Sequence, residues 1–447
     1  MKNNKSAILN SDFVDKSVSE LLASGCVKEL PFKPFVVSPL SVATNKAGKQ
    51  RLILDLSLLN KSVRKEKFKY EDWKVAIQLF SKGCYIFKFD LKSGYHHFDV
   101  CPQQQTYLGF SWDQKYFCFT VLPFGLLSAP FLFTKCLKTL VKFWRQNGIN
   151  IVLYLDDGLG IGFSLRDCSQ NSVFVRQSLI DAGFLINEDK SMFTPVQSLE
   201  WLGIVWNSLD YSLSIPDRRI VDLIDALKYL LSKLPFITAR LLAQVTGRII
   251  SMSPVIGNVT RLMTRYCYMT IESRLSWDNG LKLADDCHIK GELLLWLNRV
   301  QAINIRELAS YSRSSVIIYS DASSVAAGAH TVELDSKVFH TNWSENEKSN
   351  SSTWREMRAI EQAMLSFKDV FKGKTLKWFT DNQNCIRIVK SGSMKLDLQA
   401  LARSIFTICS AKCISIDIQW IPRSENTKAD YISTIVDHED WGVTCEF

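Results

Sequence analysis

Residues 149–161 constrain this chain more than any other stretch. Five apolar, largely β-branched or aromatic residues (Ile151, Val152, Leu153, Tyr154, Leu155) run directly into two adjacent acids, Asp156 and Asp157. Gly158 and Gly160 follow, and a second apolar stretch returns. The pattern predicts a β-hairpin, turned by the glycines, with two carboxylates at its tip. Adjacent carboxylates at the end of an apolar strand are costly unless a positive charge meets them. A divalent cation is the natural partner, because hard cations take oxygen ligands. Taken alone, Asp-Asp-Gly is more often the signature of a solvated turn, so the rest of the chain has to reverse that reading.

The chain has 447 residues, of which 47% are hydrophobic and 22% charged, enough to bury several cores. Its formal charge of +9 suits a polyanionic partner. Twelve cysteines are scattered without a CxxC pair, and the closest two, Cys409 and Cys413, have no histidine nearby. That spacing argues against zinc and for a reducing compartment, hence an intracellular protein, cytoplasmic and/or nuclear. No signal peptide is expected. The longest uncharged stretch, residues 116–134, is interrupted by Pro123, Gly125 and Pro130. It reads as strand, loop and buried helix rather than a membrane span.

In chain order, residues 14–22 form an amphipathic segment ended by Gly25, and residues 35–37 look strand-like. A hairpin with a basic glycine turn follows, with its turn at Lys46 to Lys49 and its returning strand from Arg51 to Leu56. Asp90 ends an apolar strand over residues 85–89 and precedes a turn. If that strand neighbours the Asp156–Asp157 hairpin, three carboxylates meet at one point. His96 and His97 are not expected to be a metal pair, since neighbours on an extended chain point to opposite faces. A helix is expected over 129–143, with Lys135, Lys138 and Lys142 as one basic stripe. Further helices are expected over 172–183, from Ile220 to a stop at Pro235, from Thr238 through Ile250, on to Met269, and around 292–300. Arg240, Arg248, Arg261 and Arg265 recur in this helical region, as in a cradle for duplex phosphates.

The ordered series Arg51, Asp90, Leu122-Pro123-Phe124-Gly125, Tyr154-Leu155-Asp156-Asp157, residues 187–191 and Trp201-Leu202-Gly203 resembles the motifs of a reverse transcriptase. It is similar to those of retrotransposon polyproteins of the gypsy or DIRS type. The resemblance covers residues from about 30 to 210 and implies a right-hand polymerase of fingers, palm and helical thumb/connection. It implies that Asp90, Asp156 and Asp157 are palm metal ligands and that Arg51, helped by Lys46, binds an incoming dNTP. It makes Tyr95 the residue that excludes a ribose 2′-hydroxyl. Phe124 and Gly125 would line the nucleotide pocket, Lys190 would stand near the leaving pyrophosphate, and Trp201 to Val205 would grip the primer. Ser57 departs from the pattern, where retroviral relatives often carry arginine.

Residues 312–436 repeat the logic on another frame. Strands are expected over 316–320, 327–334, 337–341, 376–380 and 416–421, with a helix capped at Ser351. This β-β-β-α-β-α-β-α order, with acids at Asp321, Glu356, Asp381 and Asp430, resembles ribonuclease H. The loop over 423–428 departs from it, lacking the histidine that some bacterial and retroviral members place before the last acid.

The expected fold class is therefore α+β: a right-hand polymerase followed by a ribonuclease H-like α/β domain. The expected division is an N-terminal helical lead-in (1–30), fingers and palm (31–210), helical thumb/connection (211–311), ribonuclease H-like domain (312–436) and a C-terminal tail (437–447). The implied activities are RNA-directed and DNA-directed DNA synthesis and cleavage of the RNA strand of a hybrid. Two Mg²⁺ (or Mn²⁺) ions per active site are implied as cofactors. The implied partners are an RNA or DNA template with its primer, an RNA/DNA hybrid and dNTPs, with no membrane; the oligomeric state is open. The competing class is a decayed or domesticated element that grips nucleic acid without chemistry. The presence of all seven acids, with Arg51 and Tyr95, argues against it.

Overall fold

The computed structural model describes residues 2–45, 48–282, 288–308, 314–334 and 336–435. The chain divides into two compact units, residues 1–212 and 213–447.

The first unit has two cores. One lies under helix α1 (Ser11–Ala23) and the hairpin of β1 (Leu40–Thr44) and β2 (Gln50–Leu54), where Leu40, Leu54 and Leu56 pack with Phe110, Phe117 and Phe119. The aromatic pair of strands, Gly109–Trp112 and Lys115–Phe119, supplies those rings. Of the strand-like residues 35–37, only Val37 enters a strand, Val37–Ser38.

The second core is built on a four-stranded antiparallel sheet. Its strands are β3 (Tyr85–Asp90), β4 (Asn150–Tyr154), β5 (Asp157–Gly162) and β6 (Met192–Val196), in the order β6-β3-β5-β4. Helix α2 (Ala129–Gln146) covers it, burying Ala129, Phe133, Leu137, Val141 and Trp144 at helical spacing. Pro130 sits in its first turn, where its missing N–H costs nothing. Lys135, Lys138 and Lys142 are on its exposed side, as the periodicity predicts. Residues 116–134 resolve into a strand, a loop and the start of this helix. Among the described residues, no helix is long and apolar enough to cross a membrane.

Helix α3 (Leu165–Asp181) begins seven residues before the expected start at Ser172. Ser164 caps it, accepting from the Asp167 N–H, and the first buried positions are the small Cys168 and Ser172. An apolar stripe opened by small residues is weak in sequence. The helical stretch expected to reach Met269 is broken into Ser253–Ile256, Val259–Leu262 and Arg265–Glu272, with Gly257 at φ +79° between the first two.

The second unit carries helices α4 (Asp217–Ser232), α5 (Ala239–Ile250), α6 (Arg265–Glu272) and α7 (His288–Arg299). Its five-stranded sheet is made of β7 (Val316–Ala322), β8 (Ala326–Thr331), β9 (Val338–Asn342), β10 (Thr375–Thr380) and β11 (Ser415–Trp420). The order is β9-β8-β7-β10-β11, with β7, β10 and β11 mutually parallel. Helices α8 (Ser352–Phe367), α9 (Gln383–Ser391), α10 (Leu396–Ala411) and α11 (Thr427–Thr434) complete it. Helix α11 closes directly on β8: a Cβ on Gly328 would lie 2.6 Å from the Ser433 amide nitrogen. Every described cysteine is a free thiol.

Candidate active sites

In the first unit, β4 and β5 form the expected hairpin, but the glycines do not turn it. Tyr154 pairs with Asp157, so the two-residue turn is Leu155–Asp156, with Leu155 in the left-handed region at φ +54°. Gly158 and Gly160 lie within β5, facing Phe89 and Phe87 across the sheet. A Cβ on either would collide with that ring. These glycines are present for close packing rather than for the turn.

The register then sets the acids. Asp90, the last residue of β3, is the cross-strand partner of Asp157. The Leu91 N–H donates to the Asp156 carbonyl at 3.0 Å, tying the turn to the end of β3. Asp90 is buried, 6% exposed. The segment 187–191 wraps it. Asn187 Nδ2 donates to Asp90 Oδ1 at 2.8 Å, and Lys190 Nζ lies 3.2 Å from Oδ2. The Asp90 N–H donates to Ser191 Oγ at 3.0 Å, and the Asn187 N–H donates to the Asp90 carbonyl at 2.9 Å. Burial pushes the Asp156 carboxyl up, with Asp90 adding to it. Burial, then Asp156 and then Asp90, push Asp157 up to about 6. Crowded, half-buried carboxyls of this kind suit a cation that removes their repulsion.

Tyr95 stands in a 3₁₀ turn, Gly94–His97, between the rings of Phe124 and Phe133, at 5.0 and 5.2 Å between centroids. Burial first, then Tyr70, Asp156 and Tyr154, raise its hydroxyl to about 12, so it stays a neutral, uncharged wall beside the acids. A Cβ on Gly94 would lie 3.6 Å from the Asp156 Cβ, which places this turn against the acidic one. Phe124 and Gly125 line a cavity of about 750 Å³ with Leu52, Leu54, Lys92 and His96. Gly125, at φ +93°, is clamped by Asn60, whose Nδ2 donates to the Gly125 carbonyl and whose Oδ1 accepts from the Leu127 N–H, both at 2.9 Å. Arg51 is exposed on β2 and, like Tyr95 and Lys190, is not in that cavity's lining. Lys46 lies outside the described residues.

The histidine pair is not extended. His97 accepts from the Leu185 N–H through Nε2 at 2.9 Å and meets the Gly94 carbonyl through Nδ1 at 3.0 Å, so it is a strut between two loops. Of the recurring arginines, Arg240 forks onto Asp278, Arg248 donates to the Asp222 carbonyl and Arg265 to the Ser391 carbonyl. Three of the four are therefore engaged within the fold.

In the second unit, Asp321 on β7, Glu356 on α8 and Asp381 just past β10 each bring a carboxylate oxygen within 4.8 Å of the others. Three elements deliver them to one end of the sheet, because β7 and β10 are parallel neighbours and α8 packs against β7 and β8. Burial raises Glu356 well above the ordinary range, and Asp321 and Asp381 add to it. Its Oε2 is buried without a hydrogen-bond partner. Burial likewise lifts Asp321 to about 6, opposed by the Ser433 hydroxyl, which donates to Oδ2 at 2.7 Å. Burial also raises Asp381. Asp430, in the first turn of α11, raises both Asp321 and Asp381 through its charge and is itself held by Arg423. An orphaned buried carboxylate oxygen amid raised acids is the donor set a divalent cation fits.

Asn60, His97, Asn187, Ser191, Arg423 and Ser433 support these sites, and the residue patterns did not single them out as partners. Only Asn187 and Ser191 had a signal, through their motif.

Residues 42–206 match the family model described as reverse transcriptase (RNA-dependent DNA polymerase). The chain is similar to retrotransposon polyproteins. It is 27% identical over 214 residues to the retrovirus-related Pol polyprotein from transposon gypsy of Drosophila melanogaster, covering 46% of this chain and 20% of that one. It is 22% identical over 450 residues to the Pol polyprotein from transposon 297 of the same fly, covering 94% and 38%. With the transposon Tf2-3 polyprotein of Schizosaccharomyces pombe the identity is 23% over 445 residues, covering 96% and 31%. The chain thus spans from a fifth to under two fifths of these relatives. Its fold matches the foamy viral protease–reverse transcriptase solved in complex with dsDNA, at a TM-score of 0.58 and 16% identity over 94% of this chain and 84% of that one. The same protein in complex with RNA/DNA hybrid gives a TM-score of 0.57, 15% identity and coverage of 99% and 56%. The fold is that of a polymerase with a ribonuclease H domain.

Proposed function

We propose that this chain is a two-centre enzyme of retroelement replication. It extends a primer with dNTPs on an RNA or DNA template and cleaves the RNA strand of RNA/DNA hybrids. The carrying observation is that its acids gather at two separate sheet ends in two separate units. Asp90 faces Asp157 beside the Asp156 turn, and Asp321, Glu356 and Asp381 meet within 4.8 Å. Asp90, Asp156 and Asp157 would hold two Mg²⁺ (or Mn²⁺) ions, and Asp321, Glu356, Asp381 and Asp430 two more. When bound, such ions neutralise charge on the reacting phosphate and activate the attacking oxygen.

The chain's own residues do the rest. Tyr95, held between Phe124 and Phe133, fills the space beside Asp156 and excludes a 2′-hydroxyl, which selects deoxynucleotides. Phe124 and Gly125 form a wall of the nucleotide cavity. Arg51 supplies forked donors to the triphosphate, helped by the charge of Lys46. Lys190, at Asp90, stands ready to give a proton to the departing pyrophosphate. In domain terms, fingers and palm occupy 31–210, the helical thumb/connection 211–311 and the ribonuclease H-like domain 312–436.

The test is a pair of variants in the full chain. Asp156→Asn with Asp157→Asn should lower primer extension on poly(rA)–oligo(dT) at least about a hundred-fold and leave hybrid cleavage intact. Asp321→Asn should do the reverse. A folded variant that loses both activities, or neither, overturns the two-centre reading.

A further inference from the structure

The loop over residues 423–428 contains two cations, Arg423 and Lys428, and no histidine. Arg423 reaches into the second site. Its Nε and Nη2 both donate to Asp430 Oδ1, at 3.0 and 2.5 Å. The two residues are joined through the 3₁₀ turn Arg423–Glu425 and the first turn of α11, so the fork spans a short, structured path. That path is anchored from below. Asn426 is buried and donates to the Ser320 carbonyl at 3.0 Å, next to Asp321.

The positive field of Arg423 extends past Asp430. It opposes the burial and mutual repulsion that raise Asp321 and Asp381. The guanidinium stays charged at every accessible pH, so this is a fixed cation rather than a switch. Asp430 is the one acid of the four outside the group whose oxygens meet within 4.8 Å.

We infer that Arg423 is an internal competitor for the divalent cation of the second site, holding Asp430 and so setting the affinity with which the four carboxylates take a metal ion. This rests on the reading of those acids as cation ligands. The reasoning is electrostatic. Four carboxylates at one sheet end repel one another, and a fixed +1 among them relieves part of the repulsion that an incoming ion would otherwise remove. For Asp430 to become a ligand, two charge-assisted hydrogen bonds must break. Arg423 is a positioning residue in this account, because it acts through Asp430.

The sign of its effect separates this role from a structural one. Loss of a structural contact loosens the site and weakens cation binding, whereas loss of a competitor tightens it. The experiment uses the full chain carrying Asp156→Asn and Asp157→Asn, which silences the first site, and titrates Mn²⁺ calorimetrically. Adding Arg423→Ala should tighten Mn²⁺ binding about five-fold, the scale of an exposed ion pair. Arg423→Lys, which keeps the charge and loses the fork, should fall between. The Mg²⁺ concentration for half-maximal hybrid cleavage should fall by the same factor.

Arg423→Gln repeats the test with a polar side chain if alanine perturbs the loop. Unchanged or weaker Mn²⁺ binding in both folded variants, with Asp321→Asn still abolishing the titration, overturns the inference and leaves the active-site reading standing. Mn²⁺ binding that survives Asp321→Asn overturns both.

Discussion

Gly158→Ala tests the packing that brings Asp157 to its place. Gly158 follows Asp157 in β5 and is the cross-strand partner of Phe89, whose ring lies over it. A methyl group there would collide with the ring carbons of Phe89. Phe89 has no room to give: it is 1% exposed, edge-on to Trp144 at 5.9 Å and stacked on Phe193 at 6.3 Å. Overpacking a full core costs about 1–3 kcal/mol, and removing a glycine's chain entropy returns roughly 0.5–1 kcal/mol. The net expectation is a loss of about 1 kcal/mol, confined to the first unit. The measurement is native-state hydrogen exchange on β3, β4 and β5, which isolates this sheet from the second unit. Primer extension should fall with it, because Asp157 is the adjacent residue. Phe89→Leu should relieve part of the clash, so the double variant should lose less than the sum of the two singles. If Gly158→Ala exchanges within about 0.5 kcal/mol of the parent, below the usual scale for buried overpacking, the account of these glycines is wrong.

Two further outcomes follow from the same geometry. Asp157 is raised from 3.8 to about 6, so in metal-free protein the unfolded chain ionises first as pH rises, and stability falls between those values and then levels off. The full shift corresponds to roughly 3 kcal/mol, reduced to about 1–2 kcal/mol for a half-buried, solvent-screened group. Asp157→Asn should therefore stabilise the EDTA-treated protein by that amount above pH 6 and by nothing near pH 4. Thermal melts across that range check it, and an equal gain at both ends refutes it. Asn60→Ala removes both bonds that clamp Gly125 and Leu127, so the KM for dNTP should rise several-fold with kcat changing less. A steady-state primer-extension assay reads this, and an unaltered KM means the clamp does not position the pocket.

The strands and their acidic ends were legible because each acid follows a period-2 or continuous apolar run, and such a run has to end where the charge begins. The helices read well wherever large apolar residues mark the buried face, as at Phe133, Leu137 and Val141. They read poorly where small ones do, as at Cys168 and Ser172. The turn of the acidic hairpin was misplaced because Gly-x-Gly suggests a bend, whereas Leu155 takes the left-handed conformation. The glycines serve packing instead: the rings of Phe87 and Phe89, more than 65 residues upstream, leave no space for a side chain at Gly158 and Gly160.

The order and spacing of the seven acids, the hydrophobic runs before the strand-end ones and the class of chemistry they suit were all properties of the linear chain. They arise from local periodicity and residue type. Which groups surround those acids was decided only by tertiary structure: Asn187 and Lys190 on Asp90, Ser433 on Asp321, Asn60 on Gly125. Each joins residues 65 to 112 positions apart. No local pattern encodes such a pair, because the two partners become neighbours only once the sheets have closed.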